Sequence, residues 1–308
     1  MYKLNHILVC LDLSEMDDFL IRYTQFLAEK IHPESITFLH VMRSYEIPKE
    51  IVAAFPHLEE PIKDIVQEEL QKKVNELIKP INGVNLKTKV IEGFPTETIV
   101  KFTQKNDITL TLMGKKMGYE GQGSIVRKVL GIIPSSVLLI SETANRKIKN
   151  IMVRMDFSKI SGMALKMALR LQELTGAEVS CHHVHKLPLN YFPQNQPEED
   201  KRLLKHIEKH SIKEYQKFIK SLKLNDKEIP LSFSLDVENE EHQILYNRAL
   251  TIGADIILIG SKIKSELADI IIDSTSEKLA SSEKNIPVFI VKDRNQIMGF
   301  LKALLPIK

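Results

Sequence analysis

The residues most able to do chemistry lie between two apolar runs in the first half of the chain. They are Gly114, Lys115, Lys116, Gly118, Gly123 and Ser124. Glycine permits positive φ and a close approach of the backbone to a ligand. Backbone N–H groups at the start of a helix attract anions, and a serine at that point also serves as an N-cap. The spacing predicts an anion site of phosphate size, to which the lysines add positive charge. A plain N-cap role for Ser124 stays open.

An order of strand, loop, helix and strand positions this stretch. The run before it, Leu110–Met113, is apolar, and apolar residues recur at helical spacing after Ser124. A second apolar run, Val137–Ile140, follows. Ligands of open parallel sheets bind at the carboxyl ends of the strands. The glycine stretch comes directly after such an end.

The whole pattern occurs twice. Ile7–Ser14 and Ile151–Ser158 are apolar runs that end in Asp-x-Ser, and Ile36–Val41 and Val179–Val184 both end in His-Val. In each half a proline-punctuated loop, a long charged helix and further strands and helices follow in the same order. Five strands alternating with four helices predict a parallel sheet with helices on both faces. The predicted fold class is therefore α/β, with two tandem doubly wound domains.

Length and sequence composition fix the division of the chain. Its 308 residues suggest two domains of about 150 residues each. We place them at 1–145 and 146–293, with the join in a short polar segment around Glu142–Lys149. The remaining residues, 294–308, form an amphipathic tail, for which we expect a helix packed on this chain or on a partner.

Charge and composition exclude several classes of protein. The formal charge of +3 is small and scattered, which argues against a nucleic-acid partner. No run of apolar residues is long enough to cross a membrane, and the first strand begins too early for a signal peptide. The cysteines Cys10 and Cys181 lie in apolar runs, so we expect reduced, inert thiols in a cytoplasmic protein.

Each half resembles a universal stress protein domain, and the whole chain resembles the tandem form of that family. The features that carry the resemblance are Asp12 and Asp156 after the first strands, His-Val after the second, Gly93-Phe94-Pro95, and the segment that starts at Gly123-Ser124. The resemblance implies a strand order of 3-2-1-4-5. It also implies an ATP site, with adenine and ribose near Asp12 and Val41 and the phosphates on the glycine loop.

Both glycine loops depart from the family pattern, in which Gly is followed by Gly three positions later and Gly-Ser/Thr thirteen positions later. In the first half Gly123 comes only nine positions after Gly114, and Gly118 is one position late. In the second half the spacing from Gly260 is kept, but Ile263 and Asp273 replace the two later glycines.

These departures favour the first half as the nucleotide site. A carboxylate at Asp273 would repel phosphate at the helix start, and Ile263 would hinder close backbone approach. We therefore expect any adenine nucleotide, ATP included, to bind through Asp12, Val41, Gly114, Gly118, Gly123 and Ser124. Two alternatives stay open: Asp12 is also suited to turn formation, and Val41 to the core.

Neither a metal site nor an active site is predicted. His183 and His185 share one face of a strand, and His206 and His210 one face of a helix, but spacing supplies no third ligand. The sequence has no Walker loop, nucleophile elbow or paired catalytic carboxylates. We expect no enzyme activity and no metal cofactor.

The last strand of each half, Val137–Ile140 and Pro287–Val291, is a long apolar edge that must be covered. The family pairs these strands across a two-fold axis, so we expect the halves to dock through them with pseudo-two-fold symmetry. We do not expect one sheet to run through the middle of the chain. The predicted function is a stress-response regulatory or binding module, with a homodimer and an unidentified protein as further partners. The alternative is a scaffold that binds no nucleotide and acts through protein contacts.

Overall fold

The computed structural model describes most of the chain. The described residues are 4–43, 62–115, 124–186, 197–224, 228–236, 238–261, 263–266, 269–272, 274–281 and 285–298.

The first half alternates strands and helices as predicted. Its elements are β1 (His6–Leu11), α1 (Met16–Ile31), β2 (Ser35–Met42), α2 (Ile62–Leu77), β3 (Asn85–Glu92), α3 (Pro95–Lys105), β4 (Leu110–Lys115), α4 (Ser124–Ile132) and β5 (Ser136–Ser141). The strands with near-continuous apolar runs are the buried ones: all six residues of β5 are buried, as expected for a strand covered on both faces.

The second half repeats this order and adds two strands. Its elements are β6 (Asn150–Arg154), α5 (Lys159–Thr175), β7 (Glu178–Lys186), α6 (Pro197–Ser221), β8 (Leu231–Asp236), α7 (Glu241–Thr251), β9 (Ile256–Gly260), β10 (Ile263–Glu266), β11 (Asp269–Ile272), α8 (Ser274–Ser281) and β12 (Val288–Val291). The strands β10 and β11 pair antiparallel. The described residues between Gly260 and Ser274 therefore include two paired strands, where the sequence predicted a loop.

Each half has the strand order 3-2-1-4-5. Along the sheet, the strands of the second half follow in the opposite order to those of the first. The complete order is β3-β2-β1-β4-β5-β12-β9-β6-β7-β8. Neighbouring strands are parallel within each half, and β12 pairs antiparallel with β5. Leu138 lies opposite Phe289, with Val137 and Leu139 opposite Ile290 and Val288, which is a symmetric register about one pair.

The expectation that each half keeps a separate sheet is wrong. The last strands are hydrogen-bonded, so one ten-stranded sheet runs through the middle of the chain. The physical reason is that an unpaired edge leaves backbone N–H and C=O groups without partners. Antiparallel pairing of β5 with β12 satisfies both edges at once.

One apolar core lies on each face of the sheet, and both cores cross from one half to the other. The first includes Ile7 and Phe38 together with Val153 and Leu258. The second includes Val137 and Leu139 together with Val288 and Ile290. Of the tail, residues 294–298 form a helical turn with Ile297 buried, while Phe300, Leu301, Leu304 and Leu305 lie outside the described residues.

Candidate functional site

The predicted site lies at the carboxyl ends of β1, β2 and β4. The strand order β3-β2-β1-β4-β5 places β4, which comes late in the chain, directly beside β1. Such a reversal opens a crevice at the carboxyl edge of the sheet. Asp12 follows β1, Val41 is the penultimate residue of β2, and Gly114 is the penultimate residue of β4. The structure thus brings these three predicted residues to the same edge.

Asp12 is exposed and shapes the turn after β1. Its Oδ1 accepts hydrogen bonds from the Ser14 backbone N–H, at 3.2 Å, and from the Ser14 hydroxyl. Leu13 between them has a positive φ of 63°. Asp156, Phe157 and Ser158 repeat this turn in the second half. The turn role that sequence left open is therefore present at Asp12, alongside its position at the edge.

Asp17 supports the turn from below. Its two carboxylate oxygens accept from the backbone N–H groups of Asp12, at 3.1 Å, and Leu13, at 2.9 Å. The side chain is fully buried. Burial raises the pKa of the Asp17 carboxyl, and the hydrogen bonds from the backbone oppose that rise. Asp17 is not among the residues predicted from the sequence; its signal is an acidic residue in the first turn of a helix, five residues after Asp12.

The His-Val motif has a structural role in both halves. The Nδ1 of His40 lies 3.0 Å from the backbone oxygen of Leu11, and the Nδ1 of His183 lies 2.6 Å from that of Met155. Each imidazole thereby ties the end of the second strand to the end of the first. Val41 next to it is half-buried and packs against the core.

Gly114 lets α1 approach β4 closely. A Cβ atom built on Gly114 would lie 2.6 Å from Cγ of Met16. On the equivalent Gly260 it would lie 2.6 Å from the backbone oxygen of Ile160. Neither position has room for a side chain, so the glycines have a packing role whether or not a ligand binds.

The remaining predicted loop residues are placed only in part. Gly118 and Gly123 lie outside the described residues, and Ser124 is the first residue of α4, with a side chain that is not described. Lys115 was expected to attract phosphate, but its side chain is buried and Nζ donates to the backbone oxygen of Leu279 in α8, at 3.4 Å. That expectation is wrong because the C-terminal end of a helix is itself an attractive site for a cation.

The equivalent edge of the second half holds a group of charged residues that the sequence analysis missed. Glu241, the first residue of α7, is buried and accepts from Arg154 Nε at the end of β6. Lys186 Nζ and Thr275 Oγ1 each lie 3.0 Å from Glu241 Oε2. Arg154 inside the apolar run Ile-Met-Val-Arg-Met was the available signal, because a charge in a buried strand needs a partner.

The second half also contains a histidine cluster. The rings of His183 and His185 meet edge to face with centroids 4.4 Å apart, and His185 stacks on Phe233. Buried His182 contacts Ser232 Oγ through Nδ1, at 2.8 Å. Burial lowers the pKa of His182 and of His185 to about 4. Within the described part of the chain, no group of three metal-ligating side chains forms.

Cys10 and Cys181 are free cysteines without a disulfide bond. Burial raises the pKa of the Cys10 and Cys181 thiols to about 12. Neither sulfur therefore forms a reactive thiolate near neutral pH. No helix among the described residues is long and apolar enough to cross a membrane.

The comparisons with known proteins agree with this geometry. The universal stress protein family matches residues 3–141 and again residues 147–292. The chain belongs to that family and contains two copies of its domain. The boundaries at 145/146 and 293/294 stay predictions. No curated protein matches the sequence.

Two solved structures share the fold over nearly the whole chain. A universal stress protein from Archaeoglobus fulgidus DSM 4304 is 20% identical, with a TM-score of 0.63, and the match covers 94% of this chain and 99% of that one. A functionally unknown protein from Pseudomonas aeruginosa PAO1 is 14% identical, with a TM-score of 0.65, and the match covers 98% of this chain and 96% of that one. At these identities the likeness shows the fold alone.

Proposed function

We propose that this chain is a stress-response regulatory module of the cytoplasm that binds an adenine nucleotide, ATP included, in its first half. It acts as a binding protein, not as an enzyme, and needs no metal of its own. The nucleotide contacts Asp12, Val41, Gly114, Gly118, Gly123 and Ser124.

The observation that carries the proposal is the difference between the two carboxyl edges. In the second half, Arg154, Lys186, Glu241 and Thr275 fill the edge with paired charges. Aligning the halves on Asp-x-Ser, on His-Val and on the helix starts puts Cys10, Arg43, Pro95 and Ile125 at the corresponding positions. Three of these four are uncharged, so the paired charges of the second half have no counterpart at these positions of the first half, which supports a ligand site there.

The chemistry of this edge supports an adenine nucleotide. Asp12 is an exposed carboxylate directly after the central strand, a position suited to a ribose hydroxyl. Ser124 begins α4, where backbone N–H groups and the helix dipole attract phosphate. The resemblance of the sequence to nucleotide-binding universal stress proteins supports the same assignment.

The first test is direct detection of the ligand. An acid extract of the purified protein, analysed by mass spectrometry, is expected to contain ATP or AMP, and millimolar Mg-ATP is expected to raise Tm of the stripped protein. Ser124→Asp should weaken binding at least about tenfold, because it puts a negative charge where the phosphates lie. An unchanged affinity would mean that the phosphates lie elsewhere.

The matched control uses the repeat. Asp12→Asn should weaken nucleotide binding, whereas Asp156→Asn, at the same turn of the second half, should leave it unchanged. Both substitutions perturb one Asx turn, so a comparison of Tm corrects for the shared structural cost. Equal losses of affinity from the two variants would contradict a site in the first half.

The alternative, a scaffold that binds no nucleotide, is favoured by one observation. Phe94, which caps α3 at this edge, is 73% exposed, and Leu13 is 47% exposed. A protein partner that covered these two side chains would remove their apolar surface from water. A clean extract, combined with no change of Tm in Mg-ATP, would support the scaffold.

A further inference from the structure

The charged group at the second carboxyl edge is built around one carboxylate. Glu241 Oε1 accepts from Arg154 Nε, and Glu241 Oε2 accepts from Lys186 Nζ and Thr275 Oγ1, each at 3.0 Å. The four residues come from β6, β7, α7 and α8. Two cations and a hydroxyl from three separate elements therefore converge on a single anion from a fourth.

This group occupies the place that corresponds to the candidate site of the first half. Arg154 directly precedes Met155 and Asp156 at the end of β6, and Thr275 is the second residue of α8. The backbone N–H groups at the start of α8 favour negative charge at that point. Glu241 thus places a negative charge beside the start of α8, through its hydrogen bond with Thr275.

Because little of the Arg154 side chain is exposed, its positive charge needs a neighbouring anion. The side chain of Glu241 is 6% exposed and that of Arg154 is 12% exposed, so neither charge is well solvated. Removal of one partner from a buried ion pair leaves an uncompensated charge, which is strongly unfavourable. Lys186, 52% exposed, gives the group a side that is open to water. One of the two cations is therefore in contact with solvent.

The ionisation of Glu241 agrees with this geometry. Burial acts to raise the pKa of the Glu241 carboxyl, but hydrogen bonds and charge from Arg154 and Lys186 outweigh burial and lower it. The carboxylate is therefore charged at neutral pH.

We propose that the second half retains a small-oxyanion site, formed by Arg154, Lys186 and Thr275, which its own Glu241 carboxylate occupies. Glu241 is the resident anion, and its charge adds to the repulsion expected from Asp273 in excluding phosphate and carboxylate ligands from this half. Shortening Glu241 opens the site to formate or inorganic phosphate. The proposal concerns the second half alone and does not depend on nucleotide binding in the first.

The test is anion rescue of Glu241→Ala in the full chain. The variant is expected to have a lower Tm than the wild type in chloride, and formate or phosphate at matched ionic strength should raise it by about 2 °C or more. Calorimetric titration should show phosphate binding at least about tenfold tighter than to the wild type. Any phosphate that binds the first half is common to both proteins and cancels in the comparison.

The double variant Arg154→Met with Glu241→Ala separates a site from a general salt effect. It lacks the main cation, so formate and phosphate should no longer raise its Tm above the value in chloride. Equal rescue of the single and double variants would overturn the proposal. So would phosphate binding to the single variant that is no tighter than binding to the wild type.

A variant that folds poorly is still informative. If Glu241→Ala is recovered in higher yield when formate or phosphate is present during refolding, the proposal is supported. If the yield is the same in formate, phosphate and chloride, the proposal is wrong. Glu241→Gln, which keeps the volume and loses the charge, should show weaker phosphate binding than Glu241→Ala, and a tighter affinity would count against the assigned position.

Discussion

Histidines are suited to catalysis and metal binding, but several of them have structural roles in this protein. His40 and His183 tie strand ends together through backbone oxygens. His182, 1% exposed, contacts Ser232, and its Nε2 is buried without a hydrogen-bond partner among the described residues. An imidazole in such a place is neutral, because protonation would bury a charge.

The neutral histidines make stability depend on pH. Burial, together with the nearby Arg248 and His183, lowers the pKa of His182 from 6.5 to about 4. The unfolded chain therefore binds more protons than the folded chain between these values. Stability should be complete above about pH 6.5 and fall as the pH drops towards 4, by at most about 3 kcal/mol from His182.

Urea unfolding at pH 7.5, 6.5, 5.5 and 5 measures this dependence. His182→Asn cannot titrate and should make the profile less steep below about pH 6.5, while His185, whose pKa burial also lowers to about 4, still contributes a slope. His206→Asn, on an exposed part of α6, should leave the profile as in the wild type. A wild-type profile that is level from pH 7.5 to 5 would contradict the assignment.

Helices and sheet meet through glycines at equivalent points of the two halves. The neighbour of a Cβ atom at Gly114 is the flexible side chain of Met16, whereas at Gly260 it is the backbone oxygen of Ile160. Side chains can rotate away from a new methyl group, but a helix backbone cannot move without shifting its packing.

We therefore expect Gly260→Ala to destabilise the protein more than Gly114→Ala. Overpacking a core costs about 1–3 kcal/mol, and Gly260→Ala should lie at or above the upper end of that range. Urea unfolding of the two variants gives the comparison. A larger loss for Gly114→Ala would mean that Met16 is held as firmly as the backbone.

Two buried lysines also act at the scale of elements. Lys115 in β4 donates to the backbone oxygen of Leu279 in α8, and Lys292 after β12 donates to that of Leu130 in α4. Each lysine thus reaches from its own half to the last helix of the other. Arg127 and Glu277 add an ion pair between the same two helices. The halves are connected by side chains as well as by the pairing of β5 with β12.

At the scale of the whole molecule, the two halves are one folding unit. Both apolar cores contain residues of both halves, and the sheet is continuous. Residues 294–298 extend the connection, since Arg294 and Asp107 form an ion pair at 2.7 Å. A loss of packing at the centre of the sheet should therefore destabilise both halves.

Phe289→Ala tests whether the two halves unfold as one unit with a shared core. Phe289 is 1% exposed and lies opposite Leu138 at the centre of the sheet, so truncation should cost about 3–5 kcal/mol. Hydrogen exchange should show lower protection in β1 as well as in β6. Phe233→Ala, in the outermost strand β8, is the control, with a smaller effect that stays local. Loss of protection in the second half alone would contradict a shared core.

The sequence by itself determined the repeat and the alternation of strands and helices, because apolar periodicity and turn residues are local and were copied in both halves. The turn residues Asp12 and Asp156 and the glycines before each last helix were identifiable for the same reason. The strand order followed only from the resemblance to the universal stress protein family. Only the tertiary structure decided where Lys115 points and that Glu241 meets Arg154, Lys186 and Thr275. It also decided that the two sheets join into one. These partners are far apart in the chain, and charged side chains or strand edges choose among distant partners by geometry that local patterns do not encode.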